Sequence, residues 1–291
     1  METIASANEE AIEAWNGVLF DRFVAYRDVV TNGLGAHGEE GLKWSPPRAG
    51  ERVLDIGCGF GDTTQQLGQL VGPEGEALGV DVAERFIETA RAEAAEAGTT
   101  NVRFVVADVQ VAELERGFDY AFSRMGVMFF ANPVAALRNV RRSLVPGGRL
   151  CAVVWRRKSE NEWMSRAEEV VARFDLAEEA PEEPTCGPGP FSMGDADVTS
   201  QQLLSAGFEE VALRRCDLPI KAGDDVASAV QFALALGPAG EAIRKAGPAA
   251  ERIRPEIEAA LAETLSEFAR PDGAVWAPAS TWIVTARVPD A

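Results

Sequence analysis

At 291 residues the chain can bury a full-sized core without disulfides or metals, as one large domain or as one domain with a cap. Its 46% hydrophobic, 25% charged and 8% aromatic content excludes disorder as the main state. The formal charge of −18, from 28 Lys+Arg against 46 Asp+Glu, repels phosphate backbones and anionic lipid surfaces, which argues against nucleic-acid and membrane partners.

Residues 9–30 place Ile12, Trp15, Val18, Leu19, Phe23 and Tyr26 at spacings of three and four, behind an acidic start, which predicts a helix. Thr31-Asn32-Gly33 stops it, a short helix follows over 38–44, and Pro46-Pro47 marks a boundary. From Glu51 the pattern alternates. Buried strands are predicted over 52–56, 76–81, 101–107, 118–122 and 149–155, with helices ending near Val71 and spanning 83–97 and 132–144. This alternation implies a parallel sheet covered on both faces, an α/β doubly wound core.

Beyond Trp155 the rhythm changes. A helix is predicted over 162–176, and the acidic, Pro/Gly-rich stretch 177–190 reads as a mobile loop. A helix over 197–206 ends at Gly207, and a strand covers 209–216. Residues 224–268 read as helical with breaks at Gly237-Pro238 and Gly247-Pro248, and 280–288 as a closing strand. That helical stretch exceeds what a crossover needs, so it is expected to cap the sheet's C-terminal edge. The resulting organisation is a helical lid (1–48), the first half of the core (49–156), a helix and loop (157–195), a core helix and strand (196–218), a cap insertion (219–278) and a final core strand (279–291).

The cysteines, Cys58, Cys151, Cys186 and Cys216, form no CxxC pair, and His37 is the single histidine. No metal site is therefore expected, and the cysteines read as small reduced residues. The acidic start METIASANEEAIEAW lacks the apolar run of a signal peptide, and the expected location is cytoplasmic.

Val53-Leu54-Asp55-Ile56-Gly57-Cys58-Gly59-Phe60-Gly61 runs from a strand through three alternate glycines into a helix. Glycine serves where a turn takes unusual dihedrals or a ligand approaches the backbone. The free N–H groups of the following helix start suit an anionic group. Asp81 ends the next strand, where a carboxylate can accept from both hydroxyls of a ribose. Asp108 ends the third strand, where its side chain can meet the N6 amine of an adenine. A nucleoside cofactor is the economical explanation.

The stretches VLDIGCGFGD (53–62), GVDVAERFIETAR (79–91), VVADVQ (105–110), FDYAFSRMGVMFFANP (118–133) and LVPGGRL (144–150) resemble the class I S-adenosylmethionine-dependent methyltransferases, in the small-molecule group that includes ubiquinone/menaquinone-type enzymes. The resemblance implies a Rossmann-like, seven-stranded sheet in the order 3-2-1-4-5-7-6, with the last strand antiparallel. It implies that S-adenosyl-L-methionine is the cofactor and a small molecule the methyl acceptor. By the same resemblance, Gly57, Cys58 and Gly59 line the methionine end, Asp55 positions its amino group, and Asp62 and Thr63 open the helix behind. Asp81 takes the ribose hydroxyls, Val82 and Phe86 flank the adenine, Asp108 accepts from its amine and Val109 covers the ring. Ser123, Arg124 and Met125 lie near the sulfonium and the substrate mouth.

Duller roles stay open for several of these. Asp81 and Asp108 can act as helix caps, Arg124 as half of an ion pair, and Trp15, Phe23 and Tyr26 as helix-face core. His37 is the catalytic candidate, deprotonating or orienting the substrate nucleophile; the alternative is a hydrogen-bonded structural histidine. A nicotinamide-dependent oxidoreductase would show G-x-G-x-x-G, whereas this turn reads G-C-G-F-G-D. A non-catalytic cofactor-binding scaffold is the other rival, and the intact acidic pair argues against it. The expected chemistry is methyl transfer to an apolar or aromatic small molecule, with a homodimer allowed as the assembly.

Overall fold

The computed structural model describes residues 4–174, 176 and 188–290. Its strands are β1 (Arg52–Ile56), β2 (Glu76–Asp81), β3 (Val102–Val106), β4 (Phe118–Arg124), β5 (Leu144–Trp155), β6 (Glu209–Asp217), β7 (Ile220–Gly223), β8 (Val275–Ala277) and β9 (Ser280–Arg287). The helices are α1 (Ile4–Asn16), α2 (Val18–Ala25), α3 (Gly35–Trp44), α4 (Asp62–Val71), α5 (Glu84–Glu96) and α6 (Pro133–Ser143) in the first half. They continue with α7 (Glu162–Ala172), α8 (Ala196–Ala206), α9 (Val226–Ala235), α10 (Pro238–Ala246), α11 (Pro248–Arg252) and α12 (Arg254–Ser266).

Seven strands form one sheet in the order β3-β2-β1-β4-β5-β9-β6. The pairs among β1 to β5 are parallel, and β9 runs antiparallel to both β5 and β6. This is the expected doubly wound order with an antiparallel last strand. The central strands read as continuous apolar runs because helices cover both faces, and Leu54, Ile56, Phe118 and Phe122 are fully buried. Local chemistry sets the helix ends. Asn132 caps α6 by accepting from Ala135 N with Pro133 next, Asp195 caps α8, and Gly207 ends α8 in the left-handed conformation.

Two short strands went unread in the sequence. β7 and β8 pair antiparallel, with Ile220 opposite Ala277, and tie together the two ends of the cap insertion. The helices between them, α9 to α12, break at Gly237-Pro238 and Gly247-Pro248 as expected; α9, α10 and α12 pack with α7, and α11 with α10. The stretch expected as a mobile loop, 177–190, lies outside the described residues except for its last three positions, and Cys186 lies outside them too.

The expected helix over 9–30 is two helices and a π turn. Gly17 breaks it between α1 and α2, and the chain widens into a π turn over Val29–Gly33, where Leu34 N donates to Val29 O. The segment leans on both halves of the molecule. Arg27 pairs with Glu93 of α5, Arg85 bonds Asn16 O and Asp21, and Phe20 packs on Phe60 and Phe86. On the other side the Tyr26 hydroxyl donates to Gln231 O of α9.

Candidate functional site

The ends of β1 to β4 meet at the point where the sheet's strand order reverses, and a cavity of about 550 Å³ opens there. Its base is built from the turn after β1, the ends of β2 and β3, and the segment after β4. Ile12, Trp15, Leu19 and Phe23 of the N-terminal helices line one wall, and Trp163, Phe232 and Leu236 of the cap line another.

The glycine turn has the conformation its residues suggest. Gly57, Gly59 and Gly61 have φ of +68°, +53° and +80°. A Cβ on Gly57 would lie 2.8 Å from Gly126 Cα, so the turn and the β4 loop are in backbone contact. A Cβ on Gly59 would meet nothing nearer than Phe86 Cδ1 at 4.0 Å, so the missing side chain leaves room in the cavity that Gly59 lines.

Asp81 holds this turn. Its Oδ2 accepts from Gly59 N at 2.9 Å and its Oδ1 from Ala83 N at 3.0 Å. A carboxylate offers about four acceptor positions, so capacity remains for further donors. Burial pushes the Asp81 carboxyl above the usual carboxylate range, opposed by the N–H groups of Ala83, Gly59 and Val82. Asp108 lines the cavity too; Oδ1 accepts from Gln110 N at 2.9 Å, and Oδ2 accepts from Asn8 Nδ2 at 2.7 Å. Asp62 and Arg124 form an ion pair at 2.6 Å. Beside Arg124, Met125 has φ +61°, a left-handed conformation that costs a side-chain-bearing residue about 1–2 kcal/mol.

A family model described as a methyltransferase domain matches residues 47–195, half of the chain. The chain belongs to the methyltransferase domain family. It is 39% identical over 107 residues to the aklanonic acid methyltransferase of Streptomyces sp. (strain C5), covering 36% of this chain and 49% of that one. It is 36% identical over 128 residues to the ubiquinone/menaquinone biosynthesis C-methyltransferase of Pseudomonas fluorescens (strain Pf0-1), covering 43% and 50%. The chain thus spans about half the length of these curated relatives. Among solved structures, a putative methyltransferase from Bacillus halodurans superposes with a TM-score of 0.54 at 15% identity, covering 86% of this chain and 98% of that one. Phosphoethanolamine N-methyltransferase 2 of Haemonchus contortus gives 0.54 at 15% identity, covering 100% and 61%. These two likenesses show the methyltransferase fold.

In this methyltransferase domain, eleven residues expected at the cofactor line the cavity: Gly57, Cys58, Gly59, Asp62, Asp81, Val82, Phe86, Asp108, Val109, Arg124 and Met125. Three do not. Asp55 sits in the sheet behind the turn, where Thr64 Oγ1 donates to its Oδ2 at 2.6 Å and burial pushes its carboxyl up to about 7. Thr63 is buried in the first turn of α4, and Ser123 is buried with its hydroxyl donating to Ile56 O at 2.8 Å. The Cys58 thiol is pushed up by burial, as suits a filler of the turn rather than a nucleophile.

The structure does not bring the catalytic candidate His37 to the cavity. It is fully buried in α3, with Nδ1 3.0 Å from Thr281 Oγ1 and Nε2 3.1 Å from Leu218 O, and its ring edge meets Trp155. Burial lowers its pKa. Trp15 and Phe23 reach the cavity, whereas Tyr26 spends its hydroxyl on Gln231.

The sequence reading missed Asn8, whose signal was its place four residues before Ile12 in the same periodic stripe. It also missed Glu241 and Arg244, which line the cavity with Pro238 at steps of three along α10. Positions three apart share a helix face, so that signal was present as well.

Proposed function

We propose that this chain transfers the methyl group of S-adenosylmethionine to a small apolar or aromatic molecule held beneath the cap. The observation that carries the reading is the single cavity joining the glycine turn to a chamber walled by Trp155, Trp163, Phe232, Phe129 and Phe130. The residues fit the cofactor. Gly59 leaves room where a Cβ would intrude, and Asp81 keeps acceptor capacity for a ribose diol. Val82 and Phe86 supply apolar faces for an adenine, and Asp108 an acceptor for its amine. When bound, the cofactor supplies a methyl group already activated on a sulfonium.

The chain's task is then alignment and exclusion of water, which suits a chamber walled by aromatic side chains. Arg124, held by Asp62, and the strained Met125 place the β4 loop where the two halves of the cavity meet. We assign His37 to packing between α3, β9 and Leu218 rather than to proton transfer. The two relatives, a methyltransferase of aklanonic acid and one of ubiquinone/menaquinone biosynthesis, support a small-molecule acceptor. The charge of −18 favours such a partner over nucleic acid or a membrane surface, and the cytoplasm is the proposed location.

Calorimetric titration with S-adenosylmethionine and S-adenosylhomocysteine tests this reading. Wild-type protein is expected to bind both, and Asp81→Ala to weaken binding by about 1–3 kcal/mol, the scale of a lost charge-assisted hydrogen bond. Failure of both ligands to bind the wild type overturns the proposal.

A further inference from the structure

The N-terminal helix α1 turns one face to the cavity, through Asn8, Ala11, Ile12 and Trp15 at steps of three, one and three. Three of the four are apolar. Asn8 breaks the stripe, and it is buried, with 6% of the residue exposed. A buried carboxamide is costly unless its polar atoms find partners. Its Nδ2 donates to Asp108 Oδ2 at 2.7 Å, across 100 positions of the sequence. A carboxylate accepts and does not donate, so this contact fixes which way round the amide sits. Among the described residues, no donor reaches Asn8 Oδ1.

Asp108 is itself held in place. Gln110 donates to its Oδ1 from the backbone N at 2.9 Å and from Nε2 at 3.3 Å, and Gln110 Oε1 accepts from Asn132 N at 2.7 Å. With the bond from Asn8, three donors occupy a carboxylate that offers about four acceptor positions. Roughly one position is left for a ligand. An adenine amine carries a pair of hydrogens. With one of them on Asp108, the other needs a second acceptor, and Asn8 lines the same cavity with its Oδ1 unspent. A carboxamide, which sets an acceptor beside a donor, complements the amine edge of adenine.

We propose that Asn8 is a specificity-determining residue of the cofactor site, its Oδ1 accepting from the adenine amine while its Nδ2 stays on Asp108. This deepens the proposed function and rests on it. The base is then read from two directions, by Asp108 at the end of β3 and by Asn8 from the lid. A purine without the amine leaves both acceptors unmatched, and a buried acceptor without a donor carries its full desolvation cost.

Isothermal titration calorimetry of the full chain tests it with two ligands, S-adenosylhomocysteine and its 6-deamino analogue, which carries purine in place of adenine. Asn8→Ala removes the carboxamide and puts a strong helix former inside α1, so the lid keeps its helix. The variant is expected to bind S-adenosylhomocysteine about fivefold more weakly, the scale of one neutral hydrogen bond. The deamino analogue has no amine to lose and should stay within about twofold, so the preference for the amine-bearing ligand shrinks.

The proposal is overturned if Asn8→Ala leaves S-adenosylhomocysteine affinity unchanged, or if both ligands weaken together, as a merely structural role in the lid requires. It is equally overturned if the variant binds S-adenosylhomocysteine more tightly, because Asn8 then competes with the amine for Asp108. Failure of the wild type to bind S-adenosylhomocysteine overturns the proposed function and this proposal with it. The other outcomes are read in a protein that binds, so the two failures are distinguishable.

Discussion

Asp55→Asn isolates the consequence of placing a carboxyl in the middle of the sheet. Asp55 is 1% exposed, between Gly79 of β2 and Phe122 of β4, and its pKa is pushed from 3.8 to about 7, chiefly by burial. The raised value means that between those limits the folded chain holds a proton that the unfolded chain has released. Stability from this group is therefore full below about pH 4 and is lost as pH climbs toward and through 7. Between pH 5 and pH 8 the native carboxyl loses its proton over close to two pH units beyond the unfolded one. At 1.36 kcal/mol per unit, that is on the order of 2–3 kcal/mol. Asn is neutral throughout, and its Oδ1 still accepts from Thr64 Oγ1. Urea denaturation of both proteins at pH 5 and pH 8 checks this, because other titrating groups cancel in the difference. The stability of Asp55→Asn relative to wild type should rise by that amount between the two pH values. A constant difference, or one that falls with pH, would refute the reasoning about a buried, reluctantly ionised Asp55.

Three further substitutions follow from the geometry. His37→Ala removes a fully buried ring and two hydrogen-bonding contacts and should cost roughly 2–4 kcal/mol in urea denaturation, with S-adenosylhomocysteine affinity within about twofold of wild type. Because burial lowers the pKa of His37, its stability is present above pH 6.5 and fades below, so the gap to the alanine variant should narrow from pH 7.5 to pH 5.5. Gly57→Ala combines φ +68° with a Cβ 2.8 Å from Gly126 Cα and should cost roughly 2–4 kcal/mol of stability. Gly59→Ala has no such clash and should fold with a smaller loss, about 1–2 kcal/mol, while calorimetry finds its cofactor affinity reduced far more than its stability.

The core was legible because its physics is periodic. Apolar runs of five to seven residues alternating with amphipathic helices admit few arrangements, and right-handed crossovers leave one hand for the sheet. What escaped detection is short or non-local. β7 and β8 have four and three residues, too few for a period-two pattern to stand out, and they exist because the cap's two ends must leave the core side by side. The break at Gly17 was concealed by the apolar spacing that continues across it. His37 was plausible as a base by its pKa alone. Only the fold reveals Thr281, far along the chain, at its Nδ1 and the carbonyl of Leu218 at its Nε2.

The family match covers the base of the cavity and part of the chamber but not its lid or the helices after β7, and the difference has a physical basis. The matched span, 47–195, contains the glycine turn, Asp81, Asp108 and the β4 loop. Their geometry is fixed by backbone: positive φ at three glycines, a turn packed against Gly126, and carboxylates at strand ends. Few sequences satisfy such constraints, so they leave a recognisable mark. Arg22, Phe232, Leu236, Glu241 and Arg244 fall outside that span, on elements that need only present side chains to a cavity. Helix packing tolerates many residues at such positions, so the choice made there is free to follow the acceptor. The cap can therefore change the ligand without disturbing the sheet, because its own small sheet and helix contacts hold it as a unit.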